Sequence, residues 1–276
     1  MTRALVLGGG GITGIAWEFG ILGGLARAGL TVGDADIIVG TSAGSVVGTV
    51  VAAGLPLEDA VAAQTAPPGP GAPASAVDLT PAMAAFALMA DRSQPRAEIM
   101  AQIGQLALAA PTVDEQTHVA RMAVQLPVSD WPAGDLRITA VDTANGEPAV
   151  FDRASGAPIE LAVAASCAVP GLFPPVTIDG RRYMDGGVRS GTNADLAEGA
   201  TALLIVAPLS GPLRPLIERE IATVGAARSL VIEPDEAALE AIGPNALDPS
   251  RRALAAEAGL RQGAALAQSV RELWNA

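Results

Sequence analysis

The chain of 276 residues contains no lysine; all 17 of its basic residues are arginine. A Schiff-base lysine, a P-loop lysine and a lysine general base are therefore excluded. There is one cysteine, Cys167, which rules out a disulfide framework and a cysteine-based zinc site. There is one histidine, His118, so any histidine-centred mechanism hangs on a single position. Positive charge is scarce: 17 basic against 29 acidic residues give a net charge of −12. Such a chain is not built to bind nucleic acid through its overall field, nor to be captured electrostatically by an anionic membrane. Long apolar runs are missing as well. The first, residues 4–7, ends at once in glycine and is too short for a signal peptide. None approaches the roughly 18 apolar residues of a membrane span. The apolar-rich stretch 81–110 is broken by Asp91, Arg92, Pro95, Arg96 and Glu98. These absences point to a soluble cytoplasmic protein, with peripheral membrane contact left to the apolar faces of its helices.

What is present is ample core material. Half of the residues are hydrophobic and only 17% are charged, which excludes a disordered chain. Residues 4–7 read as a short buried strand ending at a glycine loop, and 15–28 as a helix closed by Gly29. A second strand, 37–39, runs into a second glycine-bearing turn, and a helix over 45–53 stops at Gly54. Strand, helix, strand, helix favours a parallel sheet covered by helices. Residues 66–73 are rich in proline and glycine and suit neither helix nor ladder. Three helical segments follow. The first has Thr80 as its cap and Pro81 at its first position. The second covers 96–109. The third runs from Thr112 to about residue 125, with Glu115 completing a capping box. Together, 66–126 reads as a proline-rich loop plus helical insertion, a candidate lid, within a single domain covering 1–276. Alternation then resumes. Strands are expected over 136–141 and 149–151, around an Asn145-Gly146 turn, and a helix over 159–166. A hairpin, 176–178 with 182–184, turns at Asp179-Gly180 and delivers Asp185. Two more strands, 202–207 and 230–232, and a long helix, 249–274, complete the chain.

Three clusters could carry chemistry. Gly40-Thr41-Ser42-Ala43-Gly44 fits the G-x-S-x-G pattern, which places a serine on a sharp strand-to-helix turn with its hydroxyl exposed at the end of the sheet. Gly40 and Gly44 are then the small residues of the elbow; the alternative is a tight turn with a capping serine. Residues 8–14 hold four consecutive glycines and, in the frame Gly9, Gly11, Gly14, also match a dinucleotide-binding fingerprint. That reading needs an acidic residue at the end of the second strand, but Asp34 and Asp36 precede the strand and Ser42 follows it. The other reading is an oxyanion hole of bare backbone N–H groups at a helix N-terminus. Asp185-Gly186-Gly187 offers a carboxylate, or an ordinary turn. His118 falls between Ser42 and every acid near the C-terminus, out of the Ser–acid–His order of α/β-hydrolases. It reads as a surface or packing residue, which leaves Asp185 as the base for a serine nucleophile.

Four blocks in this order resemble the patatin-like phospholipases and acyl hydrolases: residues 8–14, residues 40–44 around Ser42, residues 165–176, and Asp185-Gly186-Gly187. The resemblance implies a three-layer α/β/α sandwich with a mostly parallel central sheet. It implies a catalytic dyad of Ser42 and Asp185, an oxyanion hole from Gly9, Gly10 and Gly11 together with Ala43, and no metal or organic cofactor. With the acidic charge and apolar helices, the expected substrate is a lipid or other acyl ester reached through hydrophobic contact, with transient membrane contact. One position departs from the pattern: members usually carry arginine or lysine where this chain has Thr13. The alternatives are an esterase or thioesterase for small soluble acyl substrates, a catalytically weak acyl-binding relative, and a dinucleotide-binding protein.

Overall fold

A strand covered on both faces must be apolar throughout. β1 (Arg3–Leu7) meets that condition after its first residue, residues 4–7 being apolar and fully buried. The architecture around it comes from a computed structural model that describes residues 1–67, 77–91 and 93–275. β1 pairs in parallel with β2 (Ile37–Gly40) on one side and β7 (Ala202–Val206) on the other, and β7 with β8 (Arg228–Ile232). β3 (Asp135–Asp142) adds to β2 in parallel. The rest is antiparallel: β4 (Pro148–Phe151) on β3, β6 (Arg181–Asp185) on β3, and β5 (Val176–Ile178) on β6.

The register of β3 positions the site. Ile138 pairs with both Gly40 of β2 and Phe151 of β4. Ala140 pairs with both Ala149 of β4 and Asp185 of β6. A strand has only two edges, so β4 lines one edge while β2 and β6 share the other, end to end. They run in opposite directions, and their C-terminal ends therefore face each other two residues apart, about 7 Å along β3. Ser42 leaves the end of one strand and Asp185 closes the other.

Helices cover both faces. Leu5, Leu7, Ile38, Ile138 and Ala140 pack under α1 (Gly11–Arg27), α2 (Ala43–Ala52), α3 (Leu57–Thr65), α7 (Ile159–Ser166) and α10 (Arg252–Trp274). Ala4, Val6, Ile37, Val39, Leu203 and Ile205 face the opposite way, onto residues 194–197 and Ile217 of α8 (Arg214–Val224). Val141 and Met184 extend that second face under α4 (Met83–Ala90) and α5 (Arg96–Ala109). The result is a three-layer α/β/α sandwich. α10 holds α1 at backbone contact, since a Cβ at Gly20 would sit 2.3 Å from Ala256 O.

Several boundaries differ from the sequence reading. α1 and α2 begin at Gly11 and Ala43, four and two residues early, because each glycine-rich turn is already the first turn of its helix. Thr112 does not cap α6 (Glu115–Ala123); Asp114 does, accepting from Thr117 N, because a carboxylate two residues closer reaches the free N–H groups. Thr80 does not cap a helix either. It opens a 3-10 turn, its own N–H donates to Asp78, and α4 starts at Met83. The Asp179-Gly180 turn is present, both residues having positive φ. α3, α8 and α9 (Glu236–Ile242) fall where no helix was expected. Of the proline-rich stretch, positions 68–73 lie outside the described residues. No described helix is long and apolar enough to cross a membrane.

Candidate active site

At the end of β2 the chain turns so sharply that Ser42 adopts φ 52 and ψ −116, a conformation L-residues rarely occupy. The glycines around it are required by space. A Cβ at Gly44 would lie 2.0 Å from Leu7 O, and one at Gly40 would lie 2.6 Å from Gly44 O. Both peptide groups of Ser42 are held. Its N–H donates to Ser166 Oγ at 2.9 Å. Its carbonyl accepts from Ser45 Oγ at 2.6 Å and from Cys167 Sγ at 3.4 Å. Ser166 and Ser45 were not singled out as site residues in the sequence; Ser166 lies inside the third matching block, which was the available signal.

The hydroxyl of Ser42 donates to Asp185 Oδ2 at 2.7 Å, and Gly187 N–H donates to Asp185 Oδ1 at 2.7 Å. Ser42 is 9% exposed and Asp185 4%. Burial pushes the Asp185 carboxyl up to about 7, against the pull of its bonds from Ser42 and Gly187. A carboxylate with that proton affinity can accept a serine proton near neutral pH, where an ordinary aspartate is a poor base. Burial and the charge of Asp185 push the Cys167 thiol up to about 12, so it is no thiolate nucleophile.

The glycine loop lies against the serine. A Cβ on Gly9 would be in ordinary contact with Ser42 Cβ, at 3.6 Å. Gly9 N–H, however, donates to Gly191 O at 2.8 Å, so its single donor is spent. That corrects the candidate oxyanion set to Gly10, Gly11 and Ala43. Gly11 and Ala43 are the first residues of α1 and α2 and Gly10 is the cap, positions whose N–H groups have no partner inside a helix. Thr13 is fully buried and turned away, both its N–H and its hydroxyl donating to Ala246 O.

The other candidates separate from the site. Asp36 accepts from Arg3 N–H and Asp34 pairs with Arg3, at the start of β1. They stand at the opposite end of the sheet from the glycine loop, where no dinucleotide ribose on that loop could reach them. His118 is buried rather than on the surface. Its ring stacks on Phe173 with centroids 5.1 Å apart, and its Nε2 lies 2.9 Å from Ala164 O. Among the described residues no group of three or more His, Cys, Asp or Glu side chains comes together as metal ligands would.

A family model described as patatin-like phospholipase matches residues 5–198. The chain belongs to the patatin-like phospholipase family, a family of lipid acyl hydrolases. Among solved structures it is similar to VipD from Legionella pneumophila, at 14% identity and a TM-score of 0.49, covering 97% of this chain and 67% of that one. It is also similar to the type III effector protein ExoU, at 16% identity and a TM-score of 0.44, covering 99% of this chain and 53% of that one. This chain thus spans about half the length of the ExoU chain. No curated protein sequence matches it significantly.

Proposed function

We propose that this chain hydrolyses lipid acyl esters through a covalent acyl-Ser42 intermediate, with Asp185 as the only side-chain base. The observation that carries the reading is the 2.7 Å bond from Ser42 Oγ to a buried carboxylate whose proton affinity is raised to about 7. As Ser42 Oγ attacks the ester carbonyl carbon, its proton passes to Asp185 Oδ2. The carbonyl oxygen becomes an oxyanion, received by N–H groups of Gly10 or Gly11 and Ala43. The tetrahedral species collapses, the alkoxide leaves, and Asp185 returns the proton to it. Water then gives a proton to Asp185 and attacks the acyl group, and Ser42 leaves with that proton. Losing one oxyanion donor typically costs about 10²–10³ in rate.

An acyl-chain substrate is supported by α4. That helix contains no charged residue, leaves Met83 and Phe86 exposed, and packs Ala85 with Val188, three residues past Asp185. The segment before it touches the loop after α7, where a Cβ on Gly171 would lie 2.4 Å from Pro81 O. In this reading the described parts of 66–126, with α4 to α6, act as a lid on a single domain. One observation favours a soluble ester or thioester instead: with Thr13 bound to Ala246 O, that position offers no cation to a phosphate-bearing head group.

Fluorophosphonate labelling with peptide mapping tests the chemistry. Label is expected on Ser42, none in Ser42→Ala, and strongly slowed labelling in Asp185→Asn. Unchanged ester turnover by Ser42→Ala would end the proposal. A chain-length series of nitrophenyl esters, set against phosphatidylcholine vesicles, decides between lipid and soluble substrate.

A further inference from the structure

We infer that Asn193 is a positioning residue that holds Ser42 and Asp185 at bonding distance by stapling together the two strand ends that carry them. The inference rests on the dyad reading above. β2 and β6 meet end to end on one edge of β3, and no ladder bond joins one end to the other. Something else must fix the gap between them. On the edge of β3, Ala140 lies level with Asp185, and Tyr183 and Ala140 belong to the core face under α7. Thr139, one residue back, points to the opposite face by the alternation of a strand. There it meets Asn193, which is 1% exposed.

Asn193 Nδ2 lies 2.8 Å from Ser190 O, 3.0 Å from Thr41 Oγ1, 3.3 Å from Gly186 O and 3.4 Å from Thr139 Oγ1. Thr41 is the neighbour of Ser42, and Gly186 is the neighbour of Asp185. One amide therefore reaches the residue next to each member of the dyad while touching neither member. Its two protons are shared among these four acceptors, the bonds to Ser190 O and Thr41 Oγ1 being the shorter and those to Gly186 O and Thr139 Oγ1 the longer, so both strand ends are bonded to it. Thr139 Oγ1 donates to Thr41 Oγ1 at 2.9 Å, and Thr41 Oγ1 donates to Thr192 O at 3.3 Å, so the staple spans β2, β3 and the 190–193 loop.

The orientation of the amide is fixed from the other end. Asn193 Oδ1 accepts from Arg189 Nη1 at 2.6 Å, and Arg189 is ion-paired with Asp195. A guanidinium only donates, so the oxygen must face it and the NH₂ must face the seam. The loop is anchored again by Glu220 of α8, whose Oε2 accepts from Thr192 Oγ1 at 2.7 Å and Ala194 N at 3.0 Å. Asn193 sits at φ 51, in the left-handed region where asparagine is enriched. Burying an amide so completely is costly unless its bonds are made. Here they are made across a gap that would otherwise be free to open, and a misplacement of about 1 Å at a reacting group can cost about 10²-fold in rate.

The test uses Asn193→Gly, which accepts the same φ and deletes only the amide, and Asn193→Asp, which keeps the shape but puts acceptors where donors are needed. Thr41→Val and Thr41→Ser form a second pair that removes or keeps the hydroxyl at the other end of the staple. Each is measured for kcat and KM on a nitrophenyl ester, for the pH midpoint of kcat/KM, and for the folded fraction by active-site titration and thermal melting. Asn193→Gly, Asn193→Asp and Thr41→Val should lower kcat by about 10- to 100-fold with little change in KM. Their pH midpoint should move up, because a looser Ser42 bond pulls less on Asp185. Thr41→Ser should stay near the parent. Parent-like kcat and pH midpoint in folded Asn193→Gly, or a loss that only tracks the unfolded fraction, would overturn the inference. If Asn193→Gly does not fold, the Thr41 pair decides: equal activities for the Val and Ser variants overturn it. Full turnover by Ser42→Ala would instead sink the dyad itself, whatever the staple does.

Discussion

The two arms of the site are held by different physics. The serine arm is fixed by exclusion: Gly40 and Gly44 exist because a Cβ at either would occupy backbone already in place, and Ser42 is forced to φ 52 between them. The acid arm adds attachment to exclusion: a Cβ at Gly186 would lie 2.2 Å from Thr139 Oγ1, but Asp185 itself is placed by bonds. Asp185 ends a strand of normal geometry and is held by Gly187 N–H, by Ser42, and through Gly186 by the Asn193 cluster. Steric exclusion tolerates nothing larger and fails by unfolding. Attachment can be loosened one bond at a time and fails by losing rate. Breaking each arm separately should therefore give two distinct phenotypes.

The largest effect is expected from Gly44→Ala. Its new Cβ would meet Leu7 O at 2.0 Å, the backbone of the core strand, so that side cannot yield cheaply. A destabilisation of about 4 kcal/mol or more is expected, read as loss of soluble folded protein or a large fall in Tm. Gly187→Ala is the matching change on the acid arm. There the new Cβ would meet only Asp185 Oδ1, at 2.9 Å. A carboxylate can swing aside, so the fold survives and the base is displaced. Expected is a kcat lower by about 10²-fold with a Tm close to the parent. If Gly187→Ala melted like Gly44→Ala, or Gly44→Ala folded normally, the contrast between the arms would be lost.

The same difference explains what could be read from the sequence. Exclusion leaves a mark in residue type: small residues at fixed spacing around Ser42, and four glycines running into α1. The parallel strands were legible because burial on both faces demands unbroken apolar runs, as in residues 4–7 and 202–207. Attachment leaves little mark. Asn193, Thr41 and Thr139 are ordinary polar residues far apart in the chain, and only the meeting of β2 and β6 on one edge of β3 makes them neighbours. Asp185 stood out through Gly186 and Gly187, but its closeness to Ser42 came from the family resemblance and not from spacing. α3, α8 and α9 leave little mark because they are short and bury few positions: Val61 in α3, Ile217 and the charged Glu220 in α8, and Ala238 and Ile242 in α9. The spent donor of Gly9 was invisible for a similar reason, since its acceptor is a backbone oxygen of Gly191, 182 positions away.

A smaller effect sharpens the comparison through pH. Asp185 must be ionised to take the serine proton, and its carboxyl titrates at about 7. kcat/KM should therefore be highest above that pH and fall about tenfold per unit below it. Ester hydrolysis measured from pH 5 to 9, with melting curves to exclude unfolding, checks this. A profile flat down to pH 5 would mean that the base in the free enzyme is not this buried carboxylate.

The smallest effect concerns α1, the helix behind the glycine loop, which carries a titratable group of its own. Glu18 on α1 is fully buried, and neither carboxylate oxygen has a hydrogen-bond partner among the described residues. Burial holds its pKa well above 4.5; the nearby Gly8 amide pulls it down only in part, and is itself given to Val206 O at 2.9 Å. Folded chain thus keeps this proton after unfolded chain has released it. The unfolded state then binds fewer protons, and stability falls as pH rises from about 4.5 toward the folded-state value. Asp185, raised from 3.8 to about 7, contributes a fall of the same sign. The two can be told apart because only one belongs to the dyad. Glu18→Gln cannot ionise, so its Tm relative to the parent should improve as pH rises above about 4.5, while the pH midpoint of activity stays at that of Asp185. A Tm difference independent of pH would show that Glu18 is charged or solvated in the folded protein. A shifted activity midpoint would show that the buried charge on α1 also tunes the base.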